Sequence, residues 1–459
     1  MVVDRFGHTL RRYVFFVMLA LFVAVGALLV LVSGTGTARA ALPTTKSAFE
    51  RPAVPQQVNA TFVVTNTSDS GPGSLRQAII NANQSPGPDA IEFDIAAAGV
   101  QTITTLNALP LITDTLLIDG YSQDGATPNN LAVGDNAQLK IVLDNGGALG
   151  DYGLWFQPDI TAGTTPSGSE VRGLVISNFA NGVRANSVGD SLDVVRPNNI
   201  WVHGNFIGTD ATGTTEMGNQ YAVQFLDVQT STIGGNTPAQ RNLLSGNDQR
   251  GVSILNSSAI TVVGNYIGTS ASGMSAVPNG YAGVEVIASI STTIGGPTAG
   301  ERNIISGNYL QGIELYSPLT GSPSGAPEGA TPSSGATVVQ GNYIGLGATG
   351  AVTVSNGANG IYIHSPNRAL IGGTAAGTGN VISGNDVNGI FIEGAFASGE
   401  PARSEGPQAP SGSGVSVVIR RNKIGTDATG LQDLGNGQDG IHADSPHGLL
   451  VGSGDPLLF

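Results

Sequence analysis

The most regular feature of the chain is a set of short runs in which apolar and variable positions alternate, each opening on glycine: Gly251-Val-Ser-Ile254, Gly283-Val-Glu-Val286, Gly312-Ile-Glu-Leu315, Gly360-Ile-Tyr-Ile363, Gly389-Ile-Phe-Ile392 and Gly440-Ile-His-Ala443. A period of two predicts strands rather than helices. The positions one and three after the glycine are almost always Val, Ile or Leu and should point to a core. Those two and four after it vary freely and should face outward. A strand this short cannot bury its apolar face alone, so successive copies must stack as a solenoid.

A second signal gives the spacing of the stack. The phrase Asn, any residue, Ile or Leu, then Gly or Ser begins at Asn205, Asn242, Asn265, Asn303, Asn342, Asn380 and Asn422, at intervals of 37, 23, 38, 39, 38 and 42 residues. The fourth and sixth intervals contain Pro/Gly/Ser-rich stretches, residues 317–335 and 394–414, that read as surface loops. Without them the coil is about 22 residues. The remaining long intervals carry a twelve-residue loop at 208–219, 268–279, 345–356 and 425–436. At a turn between strands, an inward Asn amide can bond its equivalents above and below through both donor and acceptor, so these seven residues are expected to form a structural ladder. The fold class that follows is all-β: a right-handed parallel β-helix of about 22 residues per coil plus loops, with a short N-terminal capping helix.

The N-terminal part resembles bacterial envelope and secreted β-helix proteins that open with a CSLREA-type segment. The residues that carry the resemblance are Thr61-Phe-Val-Val-Thr-Asn66, Gly73-Ser-Leu-Arg-Gln-Ala-Ile79 and Asn81-Ala-Asn83. It continues through Leu116-Leu-Ile-Asp-Gly-Tyr-Ser122, Gly204-Asn-Phe-Ile-Gly-Thr-Asp-Ala-Thr-Gly213 and Arg302-Asn-Ile-Ile-Ser-Gly-Asn308. Gly73 stands where the family has cysteine and Gln77 where it has glutamate. The resemblance covers roughly residues 61–459 and implies the fold and an extracellular or cell-surface location. It transfers no catalytic residue.

Residues 1–40 read as an export signal: Arg5, Arg11 and Arg12 precede an uncharged stretch from 13 to 32, and Ala38-Arg-Ala40 is a small-x-small cleavage site. The apolar stretch is long enough to span a bilayer if uncleaved, the one membrane contact the sequence offers. Residues 41–60 read as a linker, 61–170 as the N-terminal cap and first irregular coils, and 171–459 as regular coils. Ser74 and Gln77 form a capping box ahead of a short amphipathic helix expected to plug the N-terminal end. Gly173-Leu-Val-Ile-Ser177 reads as a degenerate repeat with Leu174 in the Asn slot. The last coil reads as unfinished at Phe459.

The whole chain carries a formal charge of −14 and no cysteine. Without residues 1–40, 15 basic residues face 32 acidic ones, which makes nucleic acid a poor partner. An exported chain without cysteine must hold itself together by stacked apolar columns and backbone ladders.

Parallel β-helices host lyases, hydrolases and uronan epimerases, but their carboxylate and His motifs are absent here. The loop aspartates Asp210 and Asp427 give way to Ser270 and Gly347 in the other copies, so they read as turn residues. No metal site or cofactor is expected, and Ca²⁺ lacks a repeated ligand set. One constellation remains. The column four residues after the strand glycine reads Tyr316, His364, Glu393, Asp444, and the column two after it reads Glu314, Tyr362, Phe391, His442. His364, Glu393 and Asp444 are the catalytic candidates. Glu314, Tyr316, Tyr362, Phe391 and His442 are the ligand-binding ones. Outward positions also tolerate any solvated residue, as Ser253, Leu255 and Ile287 show in earlier copies. The first expectation is a secreted or surface-tethered adhesin-like scaffold presenting loops and this face, with a glycan or cell-surface ligand as partner and no turnover. The alternative is a carbohydrate-active enzyme of lyase, hydrolase or epimerase type.

Overall fold

A computed structural model describes residues 57–146, 151–189, 193–316, 335–364, 368–394, 417–444 and 449–452. The expected export signal, most of the expected linker, nearly all of both Pro/Gly/Ser-rich insertions and the last seven residues lie outside the described residues.

The chain is a parallel β-helix. It visits three sheets in turn, so that Trp201–His203 lies in the first, Phe206–Ile207 in the second and Tyr221–Leu226 in the third, before Thr232–Gly234 returns to the first. Among the described residues the first sheet has 12 strands, from Thr61–Val64 to Leu449–Val451. The second has 10, from Gln101–Thr104 to Lys423–Ile424, and the third has nine, from Tyr152–Phe156 to Ile441–Asp444. Each strand pairs in parallel with its equivalent one coil away, and the pairing stacks like on like. In the second sheet Ile176, Ile207, Leu244, Ile267, Ile305, Ile344 and Ile382 form one inward column. Each of them is fully buried. In the third sheet the positions one and three after each strand glycine form two such columns, Val252 to Ile390 and Ile254 to Ile392.

Two asparagine ladders run through the corners. In the first, Nδ2 of each asparagine donates to Oδ1 of the next through Asn205, Asn242, Asn265, Asn303, Asn342, Asn380 and Asn422, at 2.8–3.2 Å. In five of the six steps the backbone N–H of the preceding asparagine also donates to that oxygen, as Asn265 N does to Asn303 Oδ1 at 3.0 Å. Leu174 occupies the slot before Asn205, and its N–H donates to Asn205 Oδ1 at 3.1 Å. The second ladder runs through Asn219, Asn247, Asn279, Asn308, Asn356, Asn385 and Asn436 at 2.9–3.0 Å. It alternates the asparagine that closes a twelve-residue loop with the asparagine of a Ser-Gly-Asn turn. These amides satisfy backbone groups that coil closure removes from water.

The twelve-residue loops stack on one another outside the second sheet. Ala271 N donates to Gly213 O, Ala348 N to Gly273 O and Ala428 N to Gly350 O, at 2.8–2.9 Å. They cover an outer apolar layer that includes Phe206 and Tyr266.

At the N-terminal end, α1 (Leu75–Gln84) lays Leu75, Ala78, Ile79 and Ala82 onto the core beneath the strand Thr61–Val64. Ser74 caps it by accepting from Gln77 N at 3.2 Å. The reciprocal half of the expected capping box is not made. Gln77 Nε2 donates to Asn81 Oδ1 at 2.8 Å, because Ser74 N is already bonded to Gly71 O at 3.2 Å. Gly73 has φ +77°, and a Cβ there would lie 2.3 Å from Thr65 Oγ1, so glycine suits this turn. Arg76 ties the helix to the first coils, with a 2.6 Å ion pair to Asp69 and a 2.6 Å bond to Ala108 O.

Candidate functional site

Strand register places the outward side chains of the third sheet in two columns. One runs Trp155, Arg184, Gln224, Ser253, Glu285, Glu314, Tyr362, Phe391, His442. Beside it runs Leu226, Leu255, Ile287, Tyr316, His364, Glu393, Asp444. The inward apolar alternation fixes this arrangement, since a one-residue slip would turn Ile313, Ile361 and Ile390 to solvent.

The face falls into two halves. In the earlier coils, Arg184 lies over the rings of Tyr152 and Trp155, 5.0 and 5.4 Å from their centroids, and donates to Gln224 Oε1 at 2.9 Å. Arg250 Nε lies 2.6 Å from Glu285 Oε1, and Ser253 Oγ donates to Glu285 Oε2 at 2.8 Å. Glu285 is 5% exposed. Burial raises its pKa, against the lowering effects of Arg250 and Ser253. Both cations here are already engaged.

In the later coils the columns converge on His364. Its Nε2 lies 3.1 Å from Glu314 Oε1 on the coil before, and its Nδ1 lies 2.9 Å from Glu393 Oε2 on the coil after. Neutral imidazole has one N–H, so both contacts become hydrogen bonds only if the ring is imidazolium or one carboxyl is protonated. Tyr362 OH donates to the same Glu393 Oε2 at 2.7 Å. Burial, that bond and the charges of Glu393 and Glu314 all raise the phenol's pKa, so Tyr362 stays a donor at neutral pH. Tyr362 stacks on Phe391 with centroids 5.2 Å apart and planes 26° apart, and Phe391 meets His442 at 5.3 Å. Tyr316 meets His364 edge-on at 5.2 Å and is 39% exposed. Stacking spends the faces of Tyr362 and Phe391 on each other, whereas Tyr316 keeps surface free.

The three catalytic candidates are not brought together as a set. Glu393 pairs with Asp444 in backbone register, yet the Asp444 carboxylate is 72% exposed and its near neighbour is His442 Nε2 at 4.0 Å. His364 instead meets Glu393 of its own column and Glu314 of the other. His442 Nδ1 turns to Asp439 at 2.7 Å.

The loop aspartates bind their own loops. Asp210 accepts from Thr212 Oγ1, Thr214 N and Thr215 N, and Asp427 accepts from Thr429 Oγ1, Gly430 N, Leu431 N and Gln432 N. Among the described residues no group of three or more His, Asp or Glu side chains is placed to hold a metal ion. A shallow depression lined by Thr353, Asp386 and Asn436 lies at the second ladder's corner, away from His364.

A polar cluster on the outer side of the first sheet went unread in the sequence. Arg172 bridges Asp119 at 2.7 Å and Glu170 at 3.0 Å, and His203 Nε2 lies 2.9 Å from Glu170 Oε1 under the Trp201 ring. His203 is 5% exposed with Nδ1 buried and unpartnered. Burial lowers its pKa despite Glu170. Glu170 lies 33 residues from His203 and Asp119 lies 53 from Arg172, so only the coil register joins them.

No protein-family model and no curated protein matches the chain. Among solved structures, the A-module of a mannuronan C-5 epimerase from Azotobacter vinelandii aligns at 13% identity over 86% of this chain and 96% of that one, with a TM-score of 0.46. A periplasmic alginate epimerase aligns at 13% identity over 80% and 78%, with a TM-score of 0.32. The catalytic domain of a GH87 alpha-1,3-glucanase aligns at 10% identity over 84% and 66%, with a TM-score of 0.21. At this level of similarity no residue is carried across, and the fold assignment rests on the chain's own three parallel sheets.

Proposed function

We propose that the chain is an exported carbohydrate-active protein that holds a glycan along the outer face of its third sheet, between Tyr316 and His442. The observation that carries this reading is the convergence of an exposed tyrosine, an aromatic stack and a carboxylate–imidazole–carboxylate array on one rigid surface. Sugar rings pair apolar C–H faces with hydroxyls, which suits aromatic surface beside carboxylate acceptors. Binding without turnover is the simpler use of this face, because both nitrogens of His364 are engaged.

Turnover is a second reading, favoured by the same histidine. Imidazole between two carboxylates can take a proton on one side and give one on the other. Hydrolysis by the two carboxylates alone fits poorly, since the imidazole fills the gap that a nucleophilic water would need.

The test uses the full chain against a panel of neutral, acidic and amino-bearing oligosaccharides, followed by calorimetry and by product analysis. Tyr316→Ala is expected to weaken glycan binding about tenfold, the loss of one aromatic contact. His364→Ala separates the two readings, abolishing product formation if there is turnover and leaving binding largely intact. No binding by any oligosaccharide overturns the proposal.

A further inference from the structure

The charge along the third sheet changes sign midway, and this bears on what the face can hold. From the strand Ile313–Tyr316 to the strand Ile441–Asp444, the outward residues are Glu314, Tyr316, Tyr362, His364, Phe391, Glu393, His442 and Asp444, with no lysine or arginine among them. Asp439 joins them through His442. Arg250, at the boundary, is spent on the buried Glu285. Four carboxylates therefore face two histidines. Glu314 and Glu393 retain 23% and 41% exposure, and Asp439 and Asp444 retain 61% and 72%. Beside these acids the face supplies the exposed ring of Tyr316 and the Tyr362 phenol, which donates to Glu393 Oε2 at 2.7 Å.

A polyuronate laid on this surface would set its carboxylates against Glu314, Glu393 and Asp444, with no lysine or arginine among the described residues of this face to neutralise them. Proton abstraction beside a uronate carboxylate also needs a cation to stabilise the charge that develops, and the described residues of this face supply no lysine or arginine for it. A glycan bearing protonated amines meets the opposite situation. Each ammonium has three donors, and carboxylates beside aromatic rings are a setting that suits cations.

We infer that this face selects an amino-bearing glycan, of the glucosamine-polymer class, through Glu314, Glu393 and Asp444, with Tyr316 as the stacking surface. The inference rests on the proposed glycan-binding role of the same face. Its test is calorimetry on the full chain at low salt and mildly acidic pH with four probes: oligomers of glucosamine, of N-acetylglucosamine, of neutral glucose and of mannuronate. The glucosamine oligomer should bind about tenfold more tightly than its acetylated form, as expected for two or three exposed ion pairs, and that margin should vanish at high salt. Mannuronate should not bind. Glu314→Gln and Glu393→Gln should each reduce the margin, with a thermal melt confirming that each variant folds. Asp444→Asn, at a solvated edge where folding is not at stake, should reduce the salt dependence.

Equal binding of the acetylated or neutral oligomers overturns the amine inference and leaves the glycan reading standing. Tighter binding of mannuronate does the same. No binding by any of the four overturns both.

Discussion

Asn303→Ala should cost the protein about 2–5 kcal/mol, and the figure can be worked from the bonds that residue makes. Its Nδ2 donates to Val262 O at 2.8 Å and to Asn342 Oδ1 at 2.9 Å, and its Oδ1 accepts from Asn265 N and Asn265 Nδ2, each at 3.0 Å. Not all of these leave an orphan. Val262 O still accepts from Gly295 N, Asn342 Oδ1 from Asn303 N, and Asn265 Nδ2 still reaches Ile233 O and Val263 O. The stranded group is the Asn265 N–H, in a corner where Asn265 and Asn303 are both 0% exposed. One buried unsatisfied donor costs about 1–3 kcal/mol, and the other lost bonds and the void add about another 1–2 kcal/mol.

The same substitution at Asn422 is the control. That residue is half-buried, so truncating it opens a path for water to the Asn380 groups it leaves, and the loss should be about 1 kcal/mol. Asn303→Asp should be worse than Asn303→Ala, because it keeps the acceptor for Asn265 but sets a carboxylate oxygen against Val262 O and Asn342 Oδ1. Denaturant unfolding followed by circular dichroism supplies the free energies, provided the transition is single, since stacked coils can also melt piecewise. Amide exchange at Asn265 gives a local reading. A loss at Asn303 below about 1 kcal/mol, or equal to that at Asn422, refutes the claim that the ladder satisfies the corner.

Other consequences are testable by substitution and pH. Asp135 has its pKa pushed up to about 6 by burial, against the lowering effects of Ala137 N and Arg241. Its folded state therefore binds the proton more tightly, and stability present at low pH is lost as pH rises from about 4 through about 6. Asp135→Asn should flatten that slope and raise stability above pH 6 by up to about 3 kcal/mol, read as melting temperature against pH. His203 carries the opposite sign: its pKa is lowered by burial, so its contribution falls away as pH drops below the ordinary histidine value. His203→Gln should make the protein less sensitive to acid, and an unchanged acid limb of the melting curve counts against the burial argument. Gly234 has φ +90° and a Cβ there would sit 1.9 Å from Val263 O, whereas Gly71, at φ +92°, has nothing within 4 Å. Gly234→Ala should prevent folding or cost several times the roughly 1 kcal/mol of Gly71→Ala, as measured by soluble yield and melting temperature.

What could be read from the chain depended on whether the signal recurred at a fixed place in the coil. The strand glycines and the first set of asparagines recur in a constant phrase, so the pairing of Tyr316 with His364 and of His364 with Glu393 follows from alignment alone. The second ladder has the same physics but alternates two contexts, a loop end and a Ser-Gly-Asn turn, with partners 28 to 51 residues apart. No single phrase marks it. Register also places backbones and not side-chain tips. Asp444 aligns with Glu393, but its carboxylate is left largely to solvent, and Glu314 reaches the His364 ring from the other column. The Asp119–Arg172–Glu170–His203 cluster belongs to early coils with irregular spacing, where no period was available to align them.

Both ladders are donated in one sense. Asn205 gives to Asn242, Asn242 to Asn265, and so on to Asn422, while Asn219 gives to Asn247 and the chain of gifts ends at Asn436. The molecule thus has an arrow. A coil that has just formed presents open donors, and only the carbonyl of a successor's amide, arriving in register, closes them. Each turn therefore offers its successor a row of unfilled donors in fixed register, and its corner is complete only when the next coil is in place.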